Sequence, residues 1–251
     1  MPERQQPERH DHEPAGIRER ILRRERTSYL SDFVYGGIDG AVTTFAVVSS
    51  VKGADLSPAI ILVLGAANLI GDGFSMAAGN FQGTRAENQR RDRLRRFEAE
   101  EIEHHPDGER AEVREIFKAK GFEGDTLDGA VDAITAKKER WIEFMLTEEH
   151  GLSLDRRDAT KAATMTLVAF IAIGAVPLVP FVFEAVGTIG PNPAFAVSTA
   201  ATALAFFVIG ATKSRFVDES WIKGGLDTLL VGGIAAVLAY FVGLLLKGLA
   251  V

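Results

Sequence analysis

Two aspartates stand inside stretches of sequence that carry almost no other charge. Asp39 interrupts an apolar run at about 33–51, and Asp72 interrupts a second apolar run at about 58–80. An aspartate at the centre of a bilayer costs about 2.5–3.5 kcal/mol on insertion scales. Such residues are typical of sites that bind or conduct cations, so both aspartates are candidate ligands for a cation that crosses a membrane.

The helix face that carries Asp72 is polar over three turns. Asn68 lies one turn before Asp72 and Met76 lies one turn after it, so an amide, a carboxylate and a thioether share one face. A face of this kind suits a dehydrated divalent cation that passes stepwise. Asp39 can lie at about the same depth as Asp72. The simpler alternative is that both acids cap helices at the interface or pair with a cation elsewhere, but neither run contains Lys or Arg.

A charged insert at 84–161 carries a second set of candidate ligands. Breaks at 106–108 and at Gly121 predict that it forms several helices. A tight turn at 106–108 could bring carboxylates from two helices together, and an added thioether tilts the choice of metal away from magnesium and calcium. From spacing alone, a solvated charged face remains the simpler interpretation. The pairs that share a helix face are Glu98 with Glu101, Glu109 with Glu112, and Met145 with Glu149.

The insert offers little support for redox chemistry on iron. A ferritin-like di-iron centre needs two Glu-x-x-His motifs and two further glutamates. The chain contains one such motif, Glu101-x-x-His104. A membrane-anchored ferroxidase is therefore disfavoured but stays open as an alternative, as does a metal buffer or sensor in which the membrane helices only anchor the insert.

The distribution of charge predicts the elements that position these residues. The chain has 251 residues and a net charge of −6, and 50 of its 62 charged residues lie in 1–32 and 84–161. This segregation excludes a single soluble globule. A bilayer core of about 30 Å needs about 20 apolar helical residues, and in lipid such spans must be helices. Five stretches qualify, at about 33–51, 58–80, 162–186, 193–212 and 225–246, the third bent by Pro177 and Pro180.

Arg and Lys residues set the expected orientation. They cluster before the first span, after the second, and between the fourth and fifth, which places the N-terminus and the insert in the cytosol. The first 30 residues hold no apolar run that would make a cleavable signal peptide. We therefore expect a prokaryotic plasma membrane, with a vacuolar-type membrane left open. The predicted regions are a disordered cytosolic tail at 1–30, transmembrane helices 1–2 at 31–83, the insert at 84–161, and transmembrane helices 3–5 at 162–251.

Small residues recur at four-residue spacing around both aspartates. Such spacing lets helix backbones approach closely in a membrane. We therefore expect the first two spans to touch each other or a second copy of the chain, which would hide their acids from lipid. The residues concerned are Gly36 and Gly40 in the first span, and Gly71, Ser75, Gly79 and Gly83 in and just after the second.

Several motifs together resemble one known family. The run SDFVYGGIDGAVTTFAVVSS, followed by GAANLIGDGFSMAAGNF, is similar to the first two spans of the vacuolar iron transporter (VIT) family. The resemblance continues through EEIEHHPDGERAEVREIFKAKGF and KKERWIEFMLTEEHGL, covers about residues 30–250, and suits a prokaryotic-type member. It implies a homodimer with five spans per chain that moves Fe²⁺ out of the cytosol in exchange for protons.

The resemblance also implies roles for individual residues. It assigns the acid of the first span to Asp39 and the methionine of the second to Met76. Asn68 stands where plant-like members carry a glutamate, and Asp72 is the nearest acid. Leu146 replaces the second of two methionines, which suggests a slightly harder site that tolerates Mn²⁺. The insert ligands implied by the resemblance are Glu98, Glu101, Glu109, Glu112, Met145 and Glu149.

The sequence thus predicts an all-α membrane protein with five transmembrane helices and a helical, cytosolic, metal-binding insert between helices two and three. We expect a transporter rather than an enzyme, with no cofactor and with Fe²⁺ as substrate and Mn²⁺ as a second candidate. The expected partners are divalent metal ions, protons, membrane lipid and a second copy of the chain. The acidic balance argues against nucleic acid, and the absence of cysteine excludes thiolate metal sites.

Overall fold

All regular secondary structure in the described residues is helical. The computed structural model describes residues 13–14, 16–18, 28–214 and 219–249, and no strand occurs among them. Most of the predicted tail at 1–30 lies outside the described residues. The predicted all-α fold class is confirmed. From residue 30 onward the helices are α1 (Leu30–Gly53), α2 (Pro58–His104), α3 (Pro106–Ala119), α4 (Gly124–Thr135), α5 (Lys138–Glu148), α6 (Ala159–Gly174), α7 (Val179–Ala185), α8 (Pro191–Ser214) and α9 (Trp221–Leu246).

Five helical segments are long and apolar enough to cross a membrane, as predicted. They are α1, the first part of α2, the α6–α7 segment, α8 and α9. The third span is broken as its prolines predict. Regular helix stops at Gly174, a 3₁₀ turn covers Val176–Leu178 with Pro177 inside it, and α7 then begins with Pro180 in its first turn.

The second span continues out of the membrane as part of one long helix. The predicted boundary between span and insert, at 83–84, falls in the middle of α2, which runs unbroken for 47 residues. It ends just before Pro106, consistent with the bias against helical backbone in the residue that precedes a proline. Met76 and Glu98 therefore lie on the same rigid element, about 33 Å apart along its axis.

Glycines in α1 allow very close contact with α6. A Cβ atom added at Gly36 would lie 2.5 Å from the carbonyl oxygen of Thr166, and one added at Gly40 would lie 2.4 Å from that of Phe170. The small residues of the first span thus serve packing, but against the third span rather than the second. The glycines of α2 at 71, 79 and 83 meet no atom within 4 Å in the described chain.

Gly40→Ala is expected to destabilise the membrane domain, because the added methyl group meets backbone and cannot be relieved by a side-chain movement. Overpacking of this kind typically costs about 1–3 kcal/mol. Thermal unfolding in detergent measures the effect. Gly233→Ala on α9 is the matched control, since a Cβ atom there meets nothing within 4 Å. Equal melting temperatures for the two variants would contradict this account of the α1–α6 contact.

The insert folds around an apolar core of its own. We call α3, α4, α5 and the second half of α2 (residues 84–104) the lobe. Its buried residues come from all four helices: Ile102, Val113, Leu127, Val131, Trp141, Ile142, Met145 and Leu146. The break predicted at 106–108 lies at His105 instead, because residues 106–108 form the first turn of α3. The break predicted at Gly121 is present, where φ is +89°. This core fixes the faces of α2, α3 and α5 on which the predicted ligands lie.

Candidate metal pathway and metal-capture lobe

The two membrane aspartates lie close to each other on neighbouring helices. Asp39 is half-buried on α1, and Asp72 is exposed on the outward face of α2. Hydrogen bonds join α1 to α2 on both sides of these acids, so Asp39 and Asp72 lie at the same level of the two helices. The structure therefore brings together the two acids that the sequence singled out. We call Asp39 and Asp72 the pathway acids.

Asn68 links α2 to α1 one turn from Asp72. Its amide nitrogen donates hydrogen bonds to the hydroxyl oxygens of Thr43 (3.1 Å) and Thr44 (3.3 Å). The Thr43 hydroxyl in turn donates to the backbone carbonyl of Asp39, at 2.9 Å. With its nitrogen engaged, Asn68 can offer its carbonyl oxygen to a cation.

A cavity of about 1000 Å³ opens next to Met76. Its lining includes Asp32, Asn80 and Thr166, which sequence reasoning did not pick out. Asn80 continues the four-residue spacing of positions 68, 72 and 76, and this spacing is the signal that could have found it. The cavity lies at the end of the spans that the charge distribution assigns to the cytosol. It therefore leads from that side to Met76.

A buried polar network closes one wall of this cavity. Asp32 is only 7% exposed, accepts a hydrogen bond from the amide nitrogen of Asn80 at 2.8 Å, and forms an ion pair with Arg157. The same amide nitrogen donates to the Thr166 hydroxyl at 2.7 Å. Arg157 lies in the segment that returns from the lobe to α6. The network therefore joins the lobe to the mouth of the membrane domain.

In the lobe, two glutamates are buried with an oxygen that has no partner. Glu98 is 1% exposed and Glu109 is 6% exposed, and the Oε2 atom of each is buried without a hydrogen bond. A buried carboxylate oxygen without a donor is costly. A cation bound between α2 and α3 would supply the missing partner, and this arrangement does not fit a solvated charged face.

The remaining predicted carboxylates surround this pair. The charges of Glu98, Glu112, Glu149 and Glu101 all act on Glu109. Burial, and after it the repulsion from those four charges, raises the pKa of Glu109 to about 7. Burial is also the main cause of the raised pKa values of Glu98 and Glu112. Carboxylates that lie close together with raised pKa values are typical of a cation-binding site.

Met145 takes a different position from the carboxylates. It is fully buried and belongs to the apolar core of the lobe, together with its neighbour Leu146. It lies one helical turn before Glu149, on α5. Its thioether therefore packs inside the lobe, and its assignment as a ligand remains a prediction.

His150 is a candidate ligand that the sequence analysis missed. Its Nε2 atom lies 2.7 Å from Oε1 of Glu98 and 3.8 Å from Oε2 of Glu149. One ligand atom from each of these three residues lies within 4.8 Å of the other two, and no other group of this kind occurs in the described part of the chain. Its position next to Glu149 in the sequence was the available signal.

Metal binding by the lobe is expected to weaken as the pH falls. Because the pKa of Glu109 is about 7, its proton must leave before the carboxylate can bind a metal ion. One such proton lowers the affinity about tenfold between pH 8 and pH 6. Titration of the purified protein with Mn²⁺ at both pH values measures this. An affinity that does not change with pH would contradict the assignment of Glu109.

The same carboxyl group makes the metal-free protein less stable at higher pH. The folded pKa of about 7 lies above the ordinary value of 4.5, so folding favours the protonated form. This stabilisation is present below about pH 4.5 and is lost as the pH rises through about 7. Thermal unfolding with a chelator at pH 5.5 and pH 8 tests it. The difference between the two pH values is expected to shrink in Glu109→Gln.

Comparison with known proteins identifies the family. The profile of the VIT family matches residues 30–244. Vacuolar iron transporter 1 of Eucalyptus grandis is 32% identical over 210 residues, which cover 83% of each chain. The vacuolar iron transporter of Toxoplasma gondii is 32% identical over 227 residues, which cover 88% of this chain and 75% of that protein. These matches confirm the resemblance seen in the sequence, and with it a membrane transporter rather than an enzyme. The chain belongs to the VIT family.

Proposed function

We propose that this protein exports Fe²⁺ from the cytosol in exchange for protons, with Mn²⁺ as a second substrate. The observation that carries the proposal is the pair of pathway acids, which lie at the same level on the contacting helices α1 and α2. Met76 lies one turn from Asp72 and lines the cavity at the end of the spans that the charge distribution assigns to the cytosol. Curated relatives named vacuolar iron transporter supply the choice of iron.

The lobe captures the ion. Glu98 and Glu109 hold buried oxygens that lack donors, and a bound divalent cation would supply the missing partners. The surrounding carboxylates attract cations and raise their concentration near the membrane. Exposed Glu149 gives the ion access from solvent. Captured metal therefore starts about 33 Å from Met76, on the helix that contains both sites.

The membrane helices then pass the ion along one face of α2. The cavity admits it to Met76, whose thioether suits a borderline ion such as Fe²⁺. Asp39 and Asp72 replace its lost water with carboxylate oxygens, and the Asn68 carbonyl follows one turn farther on. Ligands spaced by one helical turn let the ion move in steps of about 5.4 Å.

Proton exchange follows from the cost of charge in a membrane. A carboxylate surrounded by lipid-embedded helices is stable only when a cation or a proton neutralises it. Metal that binds the pathway acids therefore expels protons, and protons that arrive from the far side release metal. Each cycle moves the ion one way and protons the other.

We assign the outward face of α2 to a homodimer. Asp72 is exposed on this face, and so are Gly71, Ser75 and Gly79. An aspartate facing lipid costs about 2.5–3.5 kcal/mol on insertion scales. A second copy packed there would cover Asp72, and the open glycines at 71 and 79 would let the two backbones approach. The pathway would then run along the seam between the two copies.

The dimer can be tested cleanly because the chain contains no cysteine. Ser75→Cys, on the exposed face of α2, is expected to form a disulfide-linked dimer on mild oxidation in membranes. Val237→Cys, 55% exposed on α9, is the matched control and should remain monomeric. Equal cross-linking of both variants would indicate random collision, and no cross-linking at residue 75 would contradict the proposed seam.

Transport by purified protein in liposomes tests the function itself. With an acidic interior, external Fe²⁺ is expected to enter faster than into liposomes without a pH gradient, and the internal pH should rise as it enters. The distribution of Arg and Lys supports the proposed orientation, with the N-terminus and the lobe in the cytosol. Uptake that is absent, or that ignores the pH gradient, would contradict the export mechanism.

A further inference from the structure

His150 occupies a well-defined place beside the carboxylate cluster. Helix α5 ends at Glu148, and Gly151, with φ +62°, turns the chain back so that the backbone N–H of Leu152 bonds to the carbonyl oxygen of Leu146 at 2.9 Å. The backbone N–H of His150 is held by the carbonyl oxygen of Met145. This turn directs the imidazole across the lobe, from the end of α5 to Glu98 on α2.

The imidazole is placed where a metal ligand is needed. Its Nε2 atom lies 2.7 Å from Oε1 of Glu98, while the other oxygen of that carboxylate, Oε2, is buried and has no partner. Two ligand atoms about 2.1 Å from one ion lie about 3.0 Å apart at a right angle and farther apart at wider angles. The Nε2 separations of 2.7 Å from Glu98 and 3.8 Å from Glu149 bracket this spacing.

We propose that His150 binds the captured metal through Nε2 and makes the lobe selective for borderline divalent ions over Mn²⁺ and Mg²⁺. This inference rests on the proposed capture of metal by the lobe. Imidazole nitrogen suits iron, nickel, copper and zinc, whereas an all-oxygen set suits magnesium, calcium and manganese. The nitrogen therefore opposes the tolerance of Mn²⁺ that Leu146 suggests, and it favours Fe²⁺ within a cluster that otherwise supplies carboxylates.

A pair of substitutions separates binding of the metal from support of Glu98. His150→Gln places an amide nitrogen near the position of Nε2, which can still donate to Glu98 but is a poor ligand. His150→Ala removes both the ligand and the donor. His104→Gln is the matched control, because His104 is an exposed histidine of the same lobe whose Nδ1 atom contacts the carbonyl oxygen of Glu100 in its own helix.

The test measures the affinities of the full-length protein in detergent for Co²⁺, as an air-stable borderline ion, and for Mn²⁺. His150→Gln is expected to weaken Co²⁺ binding about tenfold or more and Mn²⁺ binding less than about threefold. His104→Gln should match the wild type. Unchanged affinities in His150→Gln would overturn the inference, and so would equal losses for both metals, which would make His150 a positioning residue for Glu98.

A separate variant distinguishes refutation of the role of His150 from refutation of metal capture by the lobe. Glu98→Gln is expected to weaken the binding of both metals, because it removes the carboxylate at the centre of the cluster. If Glu98→Gln binds both metals like the wild type, the lobe is not the capture site, and the proposed role of His150 as a ligand is refuted as well. If Glu98→Gln loses affinity while His150→Gln does not, capture stands and the role of His150 is refuted.

Discussion

Asp39→Asn is expected to lower Fe²⁺ uptake into liposomes about 100-fold or more while leaving the protein folded. The amide keeps the size of the side chain but cannot neutralise a cation between α1 and α2. An uncompensated charge in the membrane costs about 3 kcal/mol, which corresponds to about 100-fold in rate. Because the amide fills the same space and removes an ionisable group from the membrane, the melting temperature should not fall.

Asp227→Asn is the control for this experiment. Asp227 is an exposed acid in the second turn of α9, within a predicted span but away from the α1–α2 contact. Its variant should transport at the rate of the wild type. Wild-type uptake by Asp39→Asn would remove this carboxylate from the mechanism, and a comparable loss in Asp227→Asn would show that any missing acid impairs the protein.

Glu109→Gln is expected to change metal affinity and stability in opposite directions. Loss of even a supporting partner of a metal ligand typically costs about 10- to 100-fold in affinity, so loss of a ligand should raise the dissociation constant for Mn²⁺ by at least about tenfold at pH 8. The metal-free variant should nevertheless melt at a higher temperature at pH 8. It lacks a buried charge that Glu98 and Glu112 repel.

Glu115→Gln on the same helix separates this effect from a general loss of charge. Glu115 is exposed and pairs with Lys118 at 2.6 Å, away from the cluster. It should bind metal like the wild type and melt slightly lower or unchanged. A Glu109→Gln protein that lost both affinity and stability would indicate a structural role for Glu109 and would contradict its role as a ligand.

The architecture could be predicted from sequence because bilayer thickness imposes a length on each span. The segregation of charged residues predicted the five spans, and Pro177 and Pro180 predicted the break in the third span. The end of the second span could not be located in the same way. Helix α2 leaves the membrane without a break near residue 83, and it runs unbroken through Gly83, since both environments favour helix and only the polarity of its surface changes.

The site was predictable where its residues repeat along one helix. Spacing on α2 identified Asn68, Asp72 and Met76, and spacing within the insert identified pairs of glutamates. Spacing along one helix cannot predict contacts between segments that lie far apart in the sequence. The ion pair of Asp32 with Arg157 and the approach of His150 to Glu98 join residues that are 125 and 52 positions apart. The packing of α5 against α2 brings His150 to Glu98, and the packing of α1 against α6 brings Asp32 to Arg157.

Because α2 is continuous, deletion of the insert cannot separate the role of the lobe from the role of the membrane domain. Deletion of 84–161 would cut this helix and remove Arg157, the partner of buried Asp32. Loss of transport in this deletion variant would therefore not show that the lobe captures metal. Point variants of the lobe avoid this problem. An anchored buffer would show no flux in the wild type, whereas a transporter with a damaged lobe should keep slow flux at high metal concentration.

The most direct test of the account is an experimental structure of the dimer with Co²⁺ or Mn²⁺, in which anomalous scattering locates the metal. We expect one metal position in the lobe, bound by Glu98 and Glu109, and a second within about 2.0–2.5 Å of a carboxylate oxygen of Asp39 or Asp72. The second position should lie at the seam between the copies, with Met76 beside it. Metal found only in the lobe, with both aspartates turned away from the seam, would contradict the proposed route through the membrane.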